Sequence, residues 1–447
     1  MKSKIANKFR QLLILNSALL TLFTSCSIEK QIGKSAKEDV LDTKALQAAH
    51  VGISIFDPAA DKYLYNYQGD KYFVPASNTK LPTCYAAMKY LGDSLTSALV
   101  DETDTSIVII PKGDPTVLHP DFKNQPLIEF LKKQKKSIII NANNWEEDAL
   151  GSGWSWNDYN ESYMNERSPM PIYGNIIKWV QEIDDSTKPP FIYSYPEVNW
   201  IVNFSSDENN KNFNVVRDIG TNTYILNQGK EKKKEQFVPF ATNGIQTTIE
   251  LLEEPIGKKV FVWSGQHSYA PNLNPIHSQP TDSLLKPMMH RSDNFFAEQS
   301  LLMVSNERLG VMNDAKIIDT LLKTDFKDLP QKPRWVDGSG LSRYNLFTPQ
   351  DFVAILNKMK NEFGMERIKV ILPTGGEGTI SSYYKTDSGY IYGKTGTLSG
   401  VVAFSGFLYT KKRKLLIFST LVNNHQASAT EVRRAVEKFL QGIRNNY

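Results

Sequence analysis

Ser77-Asn78-Thr79-Lys80 follows Pro75-Ala76 and runs straight into the apolar stretch Leu81 to Leu91. A serine hydroxyl is a poor nucleophile at neutral pH and needs a base within hydrogen-bond reach. The i, i+3 spacing puts Lys80 beside Ser77 once both lie on a helix. A lysine serves as a base only when neutral, so its pKa must fall well below the ordinary value. The run Lys71 to Val74 reads as a strand and Leu81 to Leu91 as a helix, which places Ser77 at a helix N-terminus. Backbone N–H groups and the helix dipole favour developing negative charge there.

Two further elements extend this reading. Ser292-Asp293-Asn294 lies far downstream, and Lys394-Thr395-Gly396-Thr397 sits inside a strand-like run, Tyr390 to Thr397. Taken singly they say little. Ser27-Ile28-Glu29-Lys30 also fits Ser-x-x-Lys, Ser155-Trp156-Asn157 also fits Ser-x-Asn, and about one or two of each are expected by chance in a chain this long. Lys-Thr-Gly is rarer. Order and setting make the set informative; the blander reading is an N-cap serine, a surface turn and an ordinary strand end.

The 447 residues suffice for two or three domains with a real core. The formal net charge is only +4 and the basic residues are scattered, which argues against a nucleic-acid surface. The dense runs Lys132-Lys133-Gln134-Lys135-Lys136 and Lys230-Glu231-Lys232-Lys233-Lys234 read as solvated turns. The six histidines are dispersed, with no metal-ligand spacing, so neither metal nor cofactor is expected. Gly375-Gly376-Glu377-Gly378 lacks the context of a phosphate loop.

The N-terminus reads as a targeting segment. Lys2, Lys4, Lys8 and Arg10 precede the apolar run Leu12 to Phe23, which is short for a bilayer span. Phe23-Thr24-Ser25-Cys26 resembles a bacterial lipobox, although Phe stands where Leu is usual. Residues 1–26 are therefore expected to be a lipoprotein-type signal peptide with Cys26 lipidated, leaving the protein on the periplasmic side of the cell envelope, anchored to a membrane. Only Cys84 then remains, and it reads as a small buried apolar residue.

Residues 27–43 are polar and read as a tether. Strands are expected at Val51 to Asp57, Tyr63 to Gln68, Val401 to Thr410 and Leu415 to Asn423, with a helix from Ser428 to Ile443. Both chain ends would share one antiparallel sheet. Residues 44–98 plus 282–447 form the expected catalytic domain. Residues 99–281 are too long for a loop and form an inserted β-rich region. Its strands are read at Ile107 to Pro111, Ser137 to Ala142, Phe213 to Val216, Thr223 to Leu226, Gln246 to Leu252 and Lys259 to Trp263. Trp145, Trp154, Trp156, Trp179 and Trp200 concentrate there; core packing is the plainer reading for most, a carbohydrate-contacting surface the other.

Ser-x-x-Lys, Ser-x-Asn and Lys-Thr-Gly in this order resemble the signature of serine acyl-transfer enzymes that react with penicillin. The chain is similar to the low-molecular-mass class C penicillin-binding proteins, the D-Ala-D-Ala carboxypeptidase/endopeptidases, over about residues 45 to 445. Supporting runs are Gly113-Asp114-Pro115-Thr116, Phe295 to Leu302, Asp337-Gly338-Ser339-Gly340-Leu341-Ser342-Arg343 with Thr348-Pro349, and Leu372-Pro373 through Gly378-Thr379. The resemblance implies a mixed α/β (α+β) fold. Its core would be a serine transpeptidase/β-lactamase-like domain, an antiparallel sheet flanked by helices, with the long, largely β insert between the first two motifs.

The resemblance also implies the roles. Ser77 is the nucleophile and Lys80 its base. Ser292 relays a proton to the leaving amine, and Asn294 orients Lys80 and the substrate amide. Lys394 and Thr395 hold the substrate or β-lactam carboxylate, and the N–H groups of Ser77 and Thr397 form the oxyanion hole. Asp293, Thr395, Gly396 and Thr397 are the substrate-binding positions. Peptidoglycan peptides are the expected partners, with β-lactam antibiotics as covalent inhibitors. A β-lactamase or esterase of the same fold is the alternative. Class A β-lactamases carry a deacylating Glu a few tens of residues past Ser-Asp-Asn, however, and no Glu occurs between Glu307 and Glu362 here. A non-catalytic, lipid-anchored binding protein is the third reading, and the presence of every reactive side chain weighs against it.

Overall fold

The computed structural model describes residues 28–184, 190–205, 211–263, 265 and 273–447. Two compact units emerge. Among the described residues, one comprises 28–78, Leu329–Pro333 and Leu346–Tyr447, and the other lies within Thr79–Asp328 and Arg334–Asn345.

The first unit is built on a five-stranded antiparallel sheet in the order Ile391–Leu398, Val401–Tyr409, Leu415–Asn423, His50–Asp57, Lys62–Tyr67. Side chains alternate between its faces. Ile53 and Ile55 join Phe404 and Phe418 in a core completed by Val432, Val436, Phe439 and Leu440 of the helix Ala429–Asn446. On the alternate face, a Cβ at Gly52 would sit 2.6 Å from the Phe73 ring and 2.8 Å from Pro349, so the helix Pro349–Ile371 closes tightly over the sheet. Strands from the two chain ends thus share one sheet, as their apolar patterning predicts.

Residues 28–41 depart from the expected tether. They are helical, and Ile32, Ala36 and Val40 are buried in the same core as the C-terminal helix. Their i, i+4, i+8 spacing makes a narrow apolar stripe among charged neighbours. Glu29 pairs with Lys62 at 2.7 Å and Asp39 with Lys438 at 2.9 Å. Cys26 and the expected signal peptide lie outside the described residues. Among the described residues no helix is long and apolar enough to cross a membrane.

The second unit combines helices with three sheets. Lys80–Tyr90 packs against Thr281–His290 and Asn294–Leu309, and the last of these against Asp314–Lys323. A mixed five-stranded sheet runs in the order Val260–Val262, Ser137–Ile140, Ser106–Pro111, Ser94–Glu102, Asn274–Pro280. Two three-stranded sheets follow: Val202–Phe204, Tyr224–Asn227, Asn214–Arg217, and Lys233–Pro239, Ile176–Glu182, Phe191–Tyr195. The expected domain limits do not coincide with elements: residue 99 falls inside Ser94–Glu102, which pairs with Asn274–Pro280, and 282 falls one residue into Thr281–His290. Gln246–Ile256 is a helix rather than a strand. Ile249, Leu252 and Ile256 share one buried stripe at helical spacing, and this packing outweighs the strand preference of Thr247, Thr248 and Ile249. Trp179 is buried, as the core-packing reading expects, whereas Trp156 is 74% exposed.

Ile32→Ala is expected to cost about 2 kcal/mol or more, the usual range for emptying a buried Ile site. A flexible tether would lose nothing, and urea unfolding of the purified protein distinguishes the two.

Candidate active site

Ala76–Thr79 forms a single 3₁₀ turn, and Ser77, in the sheet unit, is half-buried upon it. Ala76 adopts a φ of 47°, a left-handed conformation that L side chains rarely take. The Lys-Thr-Gly strand lies against this turn. A Cβ at Gly396 would come within 2.6 Å of the Pro75 carbonyl oxygen and 3.0 Å of the Ser77 nitrogen. Asn78 Nδ2 donates to the Lys394 carbonyl at 2.9 Å. The first and third motifs are therefore joined by a buried side-chain hydrogen bond and by a backbone approach only glycine permits.

Lys394 is fully buried, and its Nζ donates to the Thr395 carbonyl at 2.7 Å. Thr395 donates its hydroxyl to Thr379 Oγ1 at 2.7 Å. Thr397 is exposed, and its Oγ1 accepts a hydrogen bond from Arg433 Nη2 at 2.6 Å.

In the helical unit, Lys80 opens the helix Lys80–Tyr90 and has no exposed surface. Its Nζ donates to Asn294 Oδ1 at 2.6 Å and to the Ser339 carbonyl at 2.8 Å, so the first and second motifs meet at this amine. Burial drives the Lys80 pKa down to about 8. The carboxylates of Asp337, Glu298 and Asp293 act on Nζ in the opposite direction, favouring the ammonium against burial.

The neighbours of Lys80 are themselves held. Asn294 Nδ2 donates to the Tyr163 carbonyl at 2.9 Å, which leaves its Oδ1 facing the amine. Ser339 N–H donates to Glu298 Oε1 at 2.7 Å, and Glu298 Oε2 lies 3.5 Å from Arg167 Nη1. Arg167, itself buried, also binds Asp314 at 2.6 Å and Glu147 at 3.1 Å. Burial, with Asp337 adding to it, raises the Glu298 carboxyl to about 8 against the pull of Arg167. Asp337 Oδ1 accepts from Gly340 N–H and Asn345 Nδ2, and its Oδ2 from Ser342 N–H and Trp154 Nε1, closing the turn that presents Ser339.

The structure gives Asp293 a structural post. It caps the helix Asn294–Leu309, accepting from Phe296 N–H at 3.0 Å and from Arg291 Nε at 3.2 Å. Ser292, just before it, is half-buried with a φ of 64°. Sequence reasoning assigned no role to Glu298, Arg167, Tyr163 or Arg433. Glu298 follows Asn294 by one helical turn, a spacing that would have flagged it. The others contribute through tertiary placement alone. Among the described residues, no three or more His, Cys, Asp or Glu side chains gather to hold a metal ion.

The sequence profile of the D-Ala-D-Ala carboxypeptidase 3 (S13) family matches residues 34–443. The D-alanyl-D-alanine carboxypeptidase DacB of Haemophilus influenzae is 24% identical over 98% of this chain and 98% of its own. The crystal structure of penicillin binding protein 4 (dacB) from Haemophilus influenzae superimposes with a TM-score of 0.71 at 20% identity, over 92% of this chain and 98% of the other. The same protein complexed with a β-lactam gives 0.64 at 19% identity, with the same coverage.

Gly396→Ala drives a methyl group into the backbone at Pro75 and Ser77. It is expected to cost about 1–3 kcal/mol by overpacking, read as a lowered unfolding midpoint.

Proposed function

This chain belongs to the D-Ala-D-Ala carboxypeptidase 3 (S13) family of peptidoglycan hydrolases, and from that premise we propose that it removes the terminal D-alanine of stem peptides through an acyl-enzyme on Ser77. The β-lactamase or esterase alternative is not favoured by this membership. Ser77 Oγ attacks the carbonyl carbon of the penultimate D-alanine while the neutral Lys80 amine takes the hydroxyl proton. The carbonyl oxygen becomes an oxyanion held by the N–H groups of Ser77 and Thr397; a donor of this kind is commonly worth about two to three powers of ten in rate. Collapse of the intermediate breaks the C–N bond, and the departing D-alanine amine receives a proton relayed through Ser292. Water then attacks the ester and frees Ser77. Lys394 and the Thr395–Thr397 strand hold the substrate along the cleaved bond, and Asn294 orients Lys80.

The observation that carries this reading is the fully buried Lys80 amine, 2.6 Å from Asn294 Oδ1, with its pKa depressed to about 8. Such an amine is neutral in a useful fraction of molecules near neutral pH, as a general base must be. The Gly396 strand beside the Ser77 nitrogen supports the oxyanion assignment. The same attack at a D-centre within a cross-link makes the enzyme an endopeptidase as well. A β-lactam, whose strained amide lies in place of the D-Ala-D-Ala bond, acylates the same serine. Export by the N-terminal segment and lipid attachment at Cys26 put the enzyme on the periplasmic side of the envelope, next to its substrate.

Ser77→Ala should lose both labelling by a fluorescent penicillin and release of D-alanine from muropeptides; mass spectrometry reads the second, and conversion of dimers to monomers reports endopeptidase action. Persistent release by Ser77→Ala would refute the mechanism. Lys80→Ala should slow acylation by about 10²–10⁴-fold, the usual contribution of a general base. The pH dependence has a definite sign. As the pH falls below about 8 a growing share of Lys80 is ammonium and unable to accept the proton, so the acylation rate climbs with pH through that value and levels off above it. A rate that falls across this range contradicts the assignment.

A further inference from the structure

Arg433 projects from the C-terminal helix Ala429–Asn446 in the sheet unit and is half-buried. Its Nη2 donates to Thr397 Oγ1 at 2.6 Å, and its guanidinium carbon lies 5.9 Å from the Tyr383 ring centroid. Neighbouring acids are already engaged. Glu437, one turn away, binds Arg434 and accepts from Tyr384 N–H, and Glu431 caps the helix with Ser428. Among the described residues no carboxylate pairs with Arg433. Thr395 and Arg433 line one small pocket together with Tyr383, Phe404 and Val436.

The hydroxyl geometry narrows what this cation serves. Thr395 spends its proton on Thr379, and the Lys394 ammonium donates to the Thr395 carbonyl. Thr397 Oγ1, by contrast, accepts from Arg433, which leaves the Thr397 proton directed elsewhere. A guanidinium carries five N–H donors and matches the planar fork of a carboxylate. An exposed hydroxyl with its proton free, beside a cation lacking a counter-charge, is a receptor for an anion. Resting on the carboxypeptidase reading above, we propose that Arg433, with the Thr397 hydroxyl, receives the free α-carboxylate of the substrate's C-terminal D-residue and so makes that charge a condition of cleavage. Thr395, assigned this task from the motif, then acts by fixing the strand through Thr379.

The test compares an acylated peptide ending in D-Ala-D-Ala with the same peptide ending in a C-terminal amide, using wild type, Arg433→Ala and Arg433→Lys. Wild type should prefer the free acid. Arg433→Ala should lower kcat/KM for the acid by about 10- to 100-fold, the worth of a charge-assisted hydrogen bond, mostly through KM. It should affect the amide far less, so that the preference collapses. Arg433→Lys, which keeps the charge but not the fork, should restore part of it and guards against a folding defect in the alanine variant; matching unfolding midpoints complete that control. An acid-to-amide preference that is unchanged in Arg433→Ala, or absent from wild type, overturns the inference while leaving the Ser77 mechanism intact. Failure of wild type to release D-alanine overturns the function itself, and this inference with it.

Discussion

Lys80 carries an amine into a position with no exposed surface, and the chain must there supply the oxygens that water otherwise provides. Two neutral acceptors do so, the Asn294 amide and the Ser339 carbonyl. A carboxylate in direct contact would stabilise the ammonium and raise the amine's pKa. Amide oxygens satisfy hydrogen-bonding needs without fixing the proton, and the carboxylates that act on the amine meet it through other groups. The balance between burial, which expels charge, and these more distant acids leaves the lysine near the middle of its titration close to physiological pH.

Holding two acceptors at an amine requires that each be immobile. Asn294 is turned by the Tyr163 carbonyl, the Ser339 peptide is pinned by Glu298, and the turn around it is tied to Asp337. Tyr163, Trp154 and Arg167 all come from the long segment between the first two motifs. That segment thus reaches the surroundings of the reactive amine through a carbonyl, an indole and a guanidinium. A buried guanidinium facing Glu298, Asp314 and Glu147 neutralises acids that would otherwise be costly in so dry a place. In the sheet unit, a second buried lysine, Lys394, is positioned by regular β pairing, opposite Ser405.

Much of this architecture was legible from residue patterns, and the exceptions have physical causes. Alternating and continuous apolar runs marked the sheet strands because their faces are covered. The helix of residues 28–41 escaped notice because its buried stripe includes Ala36 and is one residue wide, while charged side chains dominate the composition. Gln246–Ile256 misled through its β-branched start, where tertiary packing overrode local preference. The motif residues themselves were readable because chemistry constrains their spacing. Arg167, Tyr163 and Arg433 were not, since each is brought to its partner by folding over long separations, and no local spacing records that. Asp293 shows a role the motif does not announce: its position before a helix makes it a cap.

Ala76 and Ser292, which stand at the entrances to the first two motifs, both hold left-handed backbone angles without being glycine. Such angles persist only where the surroundings over-determine them. Their methyl and hydroxymethyl groups restrict the backbone more than a hydrogen would, so the hinge-like freedom that glycine brings is withheld at the places where the reactive groups are aimed. The molecule accepts a tensed main chain at both points, and in return the Ser77 and Ser292 hydroxyls are held in fixed directions. Loosening either joint would relieve the strain and let the two hydroxyls roam.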